Sequence, residues 1–264
     1  MNRPTQSREI TSSSPRRRSP AGVGRRMKPG ASAGPDLSWQ PLYRIGGYAA
    51  LVFVVLVLVP VALVFAAPLP PTQGRAVLEY IAANRAVYLV ELVSFVGLAV
   101  PALLVFGALA VALSRVNKAL AAVGGLFGIV SETIALALGS SPQSLHGGLV
   151  VLADSYAVAG TDAERAGLIA AAEALIAATN AVSWGGILTA AGILVLSLVM
   201  WQGLFGRALA VVGLFAGVLG VVSEALRPLI GPAYLVYGLL LPLWFAWVGW
   251  KLLKIGAANR APAP

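Results

Sequence analysis

The sequence predicts an all-α integral membrane protein, a bundle of six transmembrane helices with an extra amphipathic helix in the outer loop between helices three and four. Three observations carry this expectation. Hydrophobic residues make up 58% of the chain and charged residues 11%, against about 25% charged in a typical soluble domain. The apolar residues also fall in blocks, with charge-free runs at 45–74, 92–114, 174–206 and 228–250. Each exceeds the roughly 20 residues that cross about 30 Å of hydrocarbon at 1.5 Å per residue. Finally, the blocks at 119–139 and 208–226 are long enough once a single glutamate in each, Glu132 and Glu224, is tolerated.

Helices are therefore expected at about 46–67, 86–113, 119–139, 181–203, 208–226 and 232–252. They define a membrane domain over 43–256, preceded by a basic tail over 1–42 and followed by a short tail over 257–264. The first tail, rich in Arg, Ser, Pro and Gly, has nothing to bury and reads as disordered. Its expected partner is anionic membrane lipid rather than nucleic acid. Val64-Phe65-Ala66 has the small-residue spacing of a signal-peptidase site, but the long basic stretch before it predicts a retained signal anchor. Met27 is a second candidate start.

Charge sets the orientation. With six crossings, fifteen of the nineteen Lys and Arg fall on one side: nine between Arg3 and Arg44, then Arg115, Lys118, Arg207, Lys251, Lys254 and Arg260. Arg75, Arg85, Arg165 and Arg227 fall on the other. The positive-inside rule then predicts a multi-pass protein of a bacterial cell membrane, inner or plasma, with both termini cytoplasmic. The aromatic residues suggest matching interfacial belts, Trp39, Tyr43, Tyr48, Trp201, Trp247 and Trp250 inside, Tyr80, Tyr88, Trp184, Tyr234 and Tyr237 outside.

The third connection, 140–180, is the long one. Thr161-Asp162-Ala163-Glu164 spells a capping box. Leu168, Ile169, Ala172, Leu175 and Ile176 follow at helical spacing opposite Arg165 and Glu173. This predicts an amphipathic helix leading into the fourth crossing, either a cap on the bundle or a lid over an external site. Pro60, Pro101 and Pro242 fall inside crossings one, two and six, where each removes a backbone hydrogen bond and is expected to bend its helix.

An internal repeat is the most specific pattern. Gly125-Leu126-Phe127-Gly128-Ile129-Val130-Ser131-Glu132 aligns with Gly217-Val218-Leu219-Gly220-Val221-Val222-Ser223-Glu224 at an offset of 92, which Arg115 and Arg207 also keep. The match predicts that helices two and three were duplicated as four and five, in parallel orientation.

The chain also resembles a prokaryotic family of six-helix membrane proteins known as domain of unknown function 4386. Tyr43-Arg44-Ile45-Gly46-Gly47, Arg115-Val116-Asn117-Lys118-Ala119-Leu120-Ala121 and Phe205-Gly206-Arg207-Ala208-Leu209-Ala210 carry the resemblance, with the charged helix before crossing four. It covers 43–253. It implies the six-helix layout and no activity, cofactor or catalytic residue.

Chemistry within the membrane rests on three carboxylates, Glu91, Glu132 and Glu224. At 1.5 Å per residue, Glu132 lies roughly 20 Å and Glu224 roughly 25 Å from the cytoplasmic boundary, with Glu91 roughly 9 Å below the outer one, so all three share an outer slab. On their helices Gly125 and Gly128, and Gly217 and Gly220, share a face with the glutamate, and such glycine stripes are expected to pack against neighbouring helices. A charge at mid-membrane costs about 2.5–3.5 kcal/mol on insertion scales. One reading is a polar cavity lined by Glu91, Ser94, Glu132, Glu224, Asn180 and Ser183 that binds a cation, a proton or a polar solute. The other is structural: each glutamate is protonated or paired, as Glu224 is able to be with Arg227 three residues on.

Other chemistries are excluded by residue type. With no cysteine, thiolate catalysis and cysteine-ligated metals are ruled out. The single histidine, His146, cannot supply a two-histidine metal or haem site, and reads as a solvated loop residue. No GxSxG elbow or phosphate-binding glycine loop occurs. No metal and no cofactor is expected. The function expected is small-solute or ion binding and transport, or a structural role in the membrane; the alternative is an enzyme acting on a lipid or polyprenyl substrate with Glu132 or Glu224 as base.

Overall fold

The computed structural model describes residues 34–63, 65–141, 145–230 and 234–258. Most of the basic tail, Met27, Val64 and the end of the C-terminal tail lie outside the described residues. Among the described residues the regular structure is helical: α1 (Gln40–Leu63), α2 (Gly74–Ala83), α3 (Arg85–Gly97), α4 (Ala99–Leu113), α5 (Lys118–Leu138), α6 (Gly147–Val158), α7 (Asp162–Val182), α8 (Gly186–Met200), α9 (Arg207–Ala225), α10 (Arg227–Ile230) and α11 (Tyr234–Ala257).

Six stretches are long and apolar enough to cross a membrane: Leu37–Leu63, Arg85–Leu113, Lys118–Leu138, Asp162–Met200, Arg207–Ala225 and Tyr234–Ala257. Their outward faces carry bare apolar side chains, among them Val55, Val93, Phe215 and Leu239. Water would not tolerate so large an apolar surface, whereas lipid tails solvate it.

The crossings depart from the sequence expectation in instructive ways. The first begins at Gln40 and ends at Leu63, about a turn earlier than expected at both ends. The second is interrupted at Leu98, because Pro101 has no N–H to give the Gly97 carbonyl. By contrast, α1 and α11 continue through Pro60 and Pro242. The fourth is the C-terminal part of a 39-residue run, about 58 Å long at 1.5 Å per residue and so nearly twice the hydrocarbon thickness. Its first half, α7, therefore stands outside the hydrocarbon. The capping box closes there: Thr161 Oγ1 accepts from the Glu164 amide at 3.2 Å, and Glu164 Oε2 accepts from the Thr161 amide at 3.1 Å.

Two further helices, α2 and α6, join α7 to form a cap at this end of the bundle. They share a small core of their own with the start of α3, in which Leu78, Ile81, Tyr88, Leu149 and Ala172 are fully buried. Glu173 of α7 accepts from the Gly74 amide and so satisfies an open donor at the start of α2. Arg85 pairs with Asp154 of α6. His146 is the N-cap of α6: its Nδ1 accepts from the Gly148 amide at 2.8 Å, while its own amide donates to the Tyr88 hydroxyl at 3.1 Å. It is a capping residue, not a solvated loop residue.

That cap has a pH consequence. Nδ1 accepts only while the imidazole is neutral, and burial pulls the His146 pKa below its usual 6.5. On acidification below about 6.5 the unfolded chain takes up a proton that the folded chain resists, so stability falls with pH. Thermal melting of the solubilised protein should drop between pH 7.5 and 5.5, and by less in His146→Asn, which keeps the cap without the titration. His146→Ala should cost about 1 kcal/mol at pH 7.5.

At the opposite end Arg44 Nε donates to the Gly256 carbonyl at 2.8 Å, closing the last turn of α11 from the first helix. Asp36 pairs with Arg115 at 2.8 Å. Lys254 lies 3.8 Å over the Trp250 ring. The expected aromatic belts hold only in part: Tyr43 and Tyr88 are fully buried and Tyr237 is 2% exposed, so these three pack the interior.

Between the ends, glycine sets the helix spacing. A Cβ at Gly217 would fall 2.6–2.8 Å from Leu194 atoms, backbone nitrogen included, so α9 rides directly on the main chain of α8. One at Gly125 would meet Ala110 at 2.6 Å, one at Gly220 would meet Ala190 at 2.7 Å, and one at Gly128 would enter the Phe106 ring. On the other side of the bundle Gly47 and Gly249 bring α1 and α11 together in the same way. Below the cap, the central core runs from Tyr43 and Phe53 through Phe106 to Trp244 and Phe245.

Candidate functional site

A cavity of about 120 Å³ opens among α5, α8, α9 and α11 in the half of the bundle nearest the cap, where a single water needs roughly 10–15 Å³. Glu132 and Glu224 both line it. Each is brought there by the last turns of its helix, one above the Gly125 and Gly128 face and the other above the Gly217 and Gly220 face. They flank the first turn of α8 from two sides. Glu132 meets that turn at Thr189, whose Oγ1 lies 2.8 Å from Glu132 Oε1. Glu224 meets it at Gly186, where a Cβ would fall 2.8 Å from the carboxyl carbon.

The two carboxyls have different surroundings. Glu224 is almost wholly buried and both its oxygens are engaged: Arg227 donates to Oε2, and the Tyr234 hydroxyl donates to Oε1 at 2.8 Å. Arg227 also donates to the Tyr234 hydroxyl at 2.9 Å and covers its ring at 4.9 Å, so the three side chains close a ring of contacts across the α9–α11 connection. Glu132 has no cation within salt-bridge distance among the described residues. Its neighbours are hydroxyls. Thr189 Oγ1 lies 2.7 Å from Ser131 Oγ, and Ser131 donates onward to the Gly185 carbonyl at 2.5 Å.

The cavity wall also carries apolar side chains, Phe53, Phe95, Leu98 and Leu241. Phe53 stacks on Phe245 at 3.8 Å between ring centroids, and Phe106 and Trp244 close edge-on against Phe245. Beyond them Ser197 Oγ and Trp244 Nε1 are buried without a hydrogen-bond partner.

The remaining sequence candidates lie elsewhere. Glu91 and Ser94 are buried on α3, and neither lines the cavity; Phe95 of the same helix and Leu98 just after it do. Glu91 Oε2 and the Tyr80 hydroxyl are each buried without a partner. Asn180 is not in the cavity wall, where Thr179 and Val182 stand instead, and the Ser183 side chain lies outside the described residues. Thr189, Tyr234 and Tyr237, which sequence reasoning did not single out for this site, are in it. Among the described residues no three His, Cys, Asp or Glu side chains converge as a metal site.

Fold and site together define a multi-pass helical membrane protein with a carboxylate-bearing cavity among its spans. Within that class, the chain belongs to the family described as domain of unknown function (DUF4386), which matches residues 45–254. No curated protein and no solved structure matches it.

Proposed function

We propose that this protein binds a small polar or cationic solute in the Glu132–Glu224 cavity, as a carrier or a receptor of the cell membrane. The observation that carries this reading is the asymmetry of the two carboxyls. Glu224 is neutralised within the protein by Arg227, whereas Glu132 reaches the cavity with only hydroxyls around it. A purely structural glutamate gains most from a partner in the protein. Here the Thr189 hydroxyl is the partner, no cation stands beside the carboxyl among the described residues, and room for a solute lies against it. Enzymatic use of Glu224 as a base is disfavoured, because both its oxygens are already hydrogen-bonded.

The cavity faces the cell exterior in this reading. The end of the bundle that carries Arg44, Arg115, Lys118, Arg207 and Lys254 is the cytoplasmic one by the positive-inside rule, with both termini there. The α4–α5 and α8–α9 hairpins are duplicates, an origin supported by the offset of 92 and by the placement of Glu132 and Glu224 on one cavity.

The chain has no cysteine, so single-cysteine variants report without background. In intact cells, Ala135→Cys in the cavity wall and Gly160→Cys in the cap should both react with a membrane-impermeant methanethiosulfonate reagent, and Arg207→Cys should not. An Ala135→Cys variant that stays unreactive while Gly160→Cys reacts means a sealed cavity and removes the reading. Labelling of Arg207→Cys but not Gly160→Cys reverses the orientation.

A further inference from the structure

Counting hydrogens around Glu132 identifies what the cavity lacks. Ser131 has one hydroxyl hydrogen, which goes to the Gly185 carbonyl. Thr189 also has one, yet two acceptors lie within reach of its Oγ1, Ser131 Oγ at 2.7 Å and Glu132 Oε1 at 2.8 Å. A hydroxyl donates one hydrogen at a time. A protonated Glu132 closes this count with its own hydrogen, donated to Thr189 Oγ1; an ionised Glu132 leaves the cluster one donor and one positive charge short, since Arg227 is committed to Glu224 and Tyr234.

The facing wall narrows the choice of ligand. Beside the hydroxyls of Ser140, Ser141, Thr179 and Tyr234, the wall carries the apolar side chains Phe53, Phe95, Leu98 and Leu241, room for a carbon chain next to the carboxylate. A transition metal favours a cluster of His, Cys and carboxylate ligands, and among the described residues no three such side chains converge. A neutral polar solute supplies the missing donor but not the charge. An alkylammonium ion supplies both, and aromatic rings attract its charge while accommodating its carbon chain.

Resting on the solute-binding reading above, we infer that the cavity takes a small organic ammonium ion, a protonated amine with a short apolar body. Its N–H groups bond Glu132 and the Ser131–Thr189 pair. Its body lies against Phe53, Phe95 and Leu98. Because Glu224 already has Arg227, one ammonium balances the cavity, so the site fits a monoamine better than a diamine.

The test uses the full-length Ala135→Cys variant in detergent, labelled with N-ethylmaleimide, with n-butylammonium chloride as probe and n-butanol and sodium chloride as controls. Saturating butylammonium should slow labelling by about tenfold or more, and neither control should. Adding Glu132→Gln should abolish the protection, and Glu132→Asp should retain part of it; melting curves of both variants establish that they are folded. If butanol protects as well as butylammonium, the site takes neutral solutes: the cavity reading stands and the ammonium assignment falls. Equal protection by sodium chloride, undiminished protection in Glu132→Gln, or no protection by butylammonium also overturns the assignment. If Ala135→Cys fails to label at all while Gly160→Cys labels, the cavity is closed and the solute-binding reading falls with it.

Discussion

Arg227→Met should destabilise the solubilised protein by about 3–5 kcal/mol, the range found when one member of a buried ion pair is removed. The Glu224 side chain is 3% exposed and the Arg227 side chain 16% exposed, so water cannot replace the lost guanidinium. Tyr234 would be left as the only donor the structure places on that carboxyl. Adding Glu224→Gln should recover most of the loss, because the uncompensated charge, more than the missing bond, carries the cost. Chemical or thermal denaturation of the parent, both single variants and the double variant closes the cycle. Additive losses would mean that the two side chains do not act as a pair.

Gly217→Ala and Gly128→Leu form the second large effect. Any Cβ at Gly217 falls 2.6–2.8 Å from Leu194 backbone and Cβ atoms. Main chain cannot rotate away, so α8 and α9 must separate, at about 1–3 kcal/mol for overpacking of this kind. At Gly128 the obstacle is the Phe106 ring, itself fully buried against Phe245, and leucine there should cost at least as much. Two controls bracket these numbers. Gly107, where an added methyl would meet nothing within 4 Å, should accept alanine with no loss or a gain of about 0.4–1 kcal/mol. Val130, 38% exposed, should accept leucine with little change. Melting temperatures of the four variants decide: parent-like melting of Gly217→Ala would show that α8 and α9 are not in backbone contact.

The crossings were legible because length and apolarity are properties of continuous sequence, and a run such as 228–250 admits no soluble alternative. The capping box at Thr161 was legible for a similar reason: its partners are three residues apart. The helices α2 and α6 were not. Gly74–Ala83 does place Val77, Leu78 and Ile81 on one helical face, but within ten residues that read as a connection between crossings, whereas Gly147–Val158 is apolar all round and too short to cross, with no face to read. Their stability comes from burial against α3 and α7, which only the fold supplies.

The site divides along the same line. Glu224 and Arg227, three residues apart on adjoining helices, were visible as a pair. Tyr234 reaches them from the start of α11, and Thr189 reaches Glu132 from another helix; no spacing in the chain announces either contact. Depth along the membrane placed Glu91 in the same slab as the other two glutamates. Depth says nothing about azimuth, and α3 keeps Glu91 out of the cavity wall.

The stack of Phe53 on Phe245 gives the protein an electrical character. Rings 3.8 Å apart leave no room for water between them, so a hydrated ion cannot pass between this pair. The stacked rings are therefore part of the low-dielectric barrier that the bundle core presents to charge. On the carrier reading proposed above, a solute that crossed at this point would need these rings to part, and its flux would then saturate with concentration instead of rising in proportion to it.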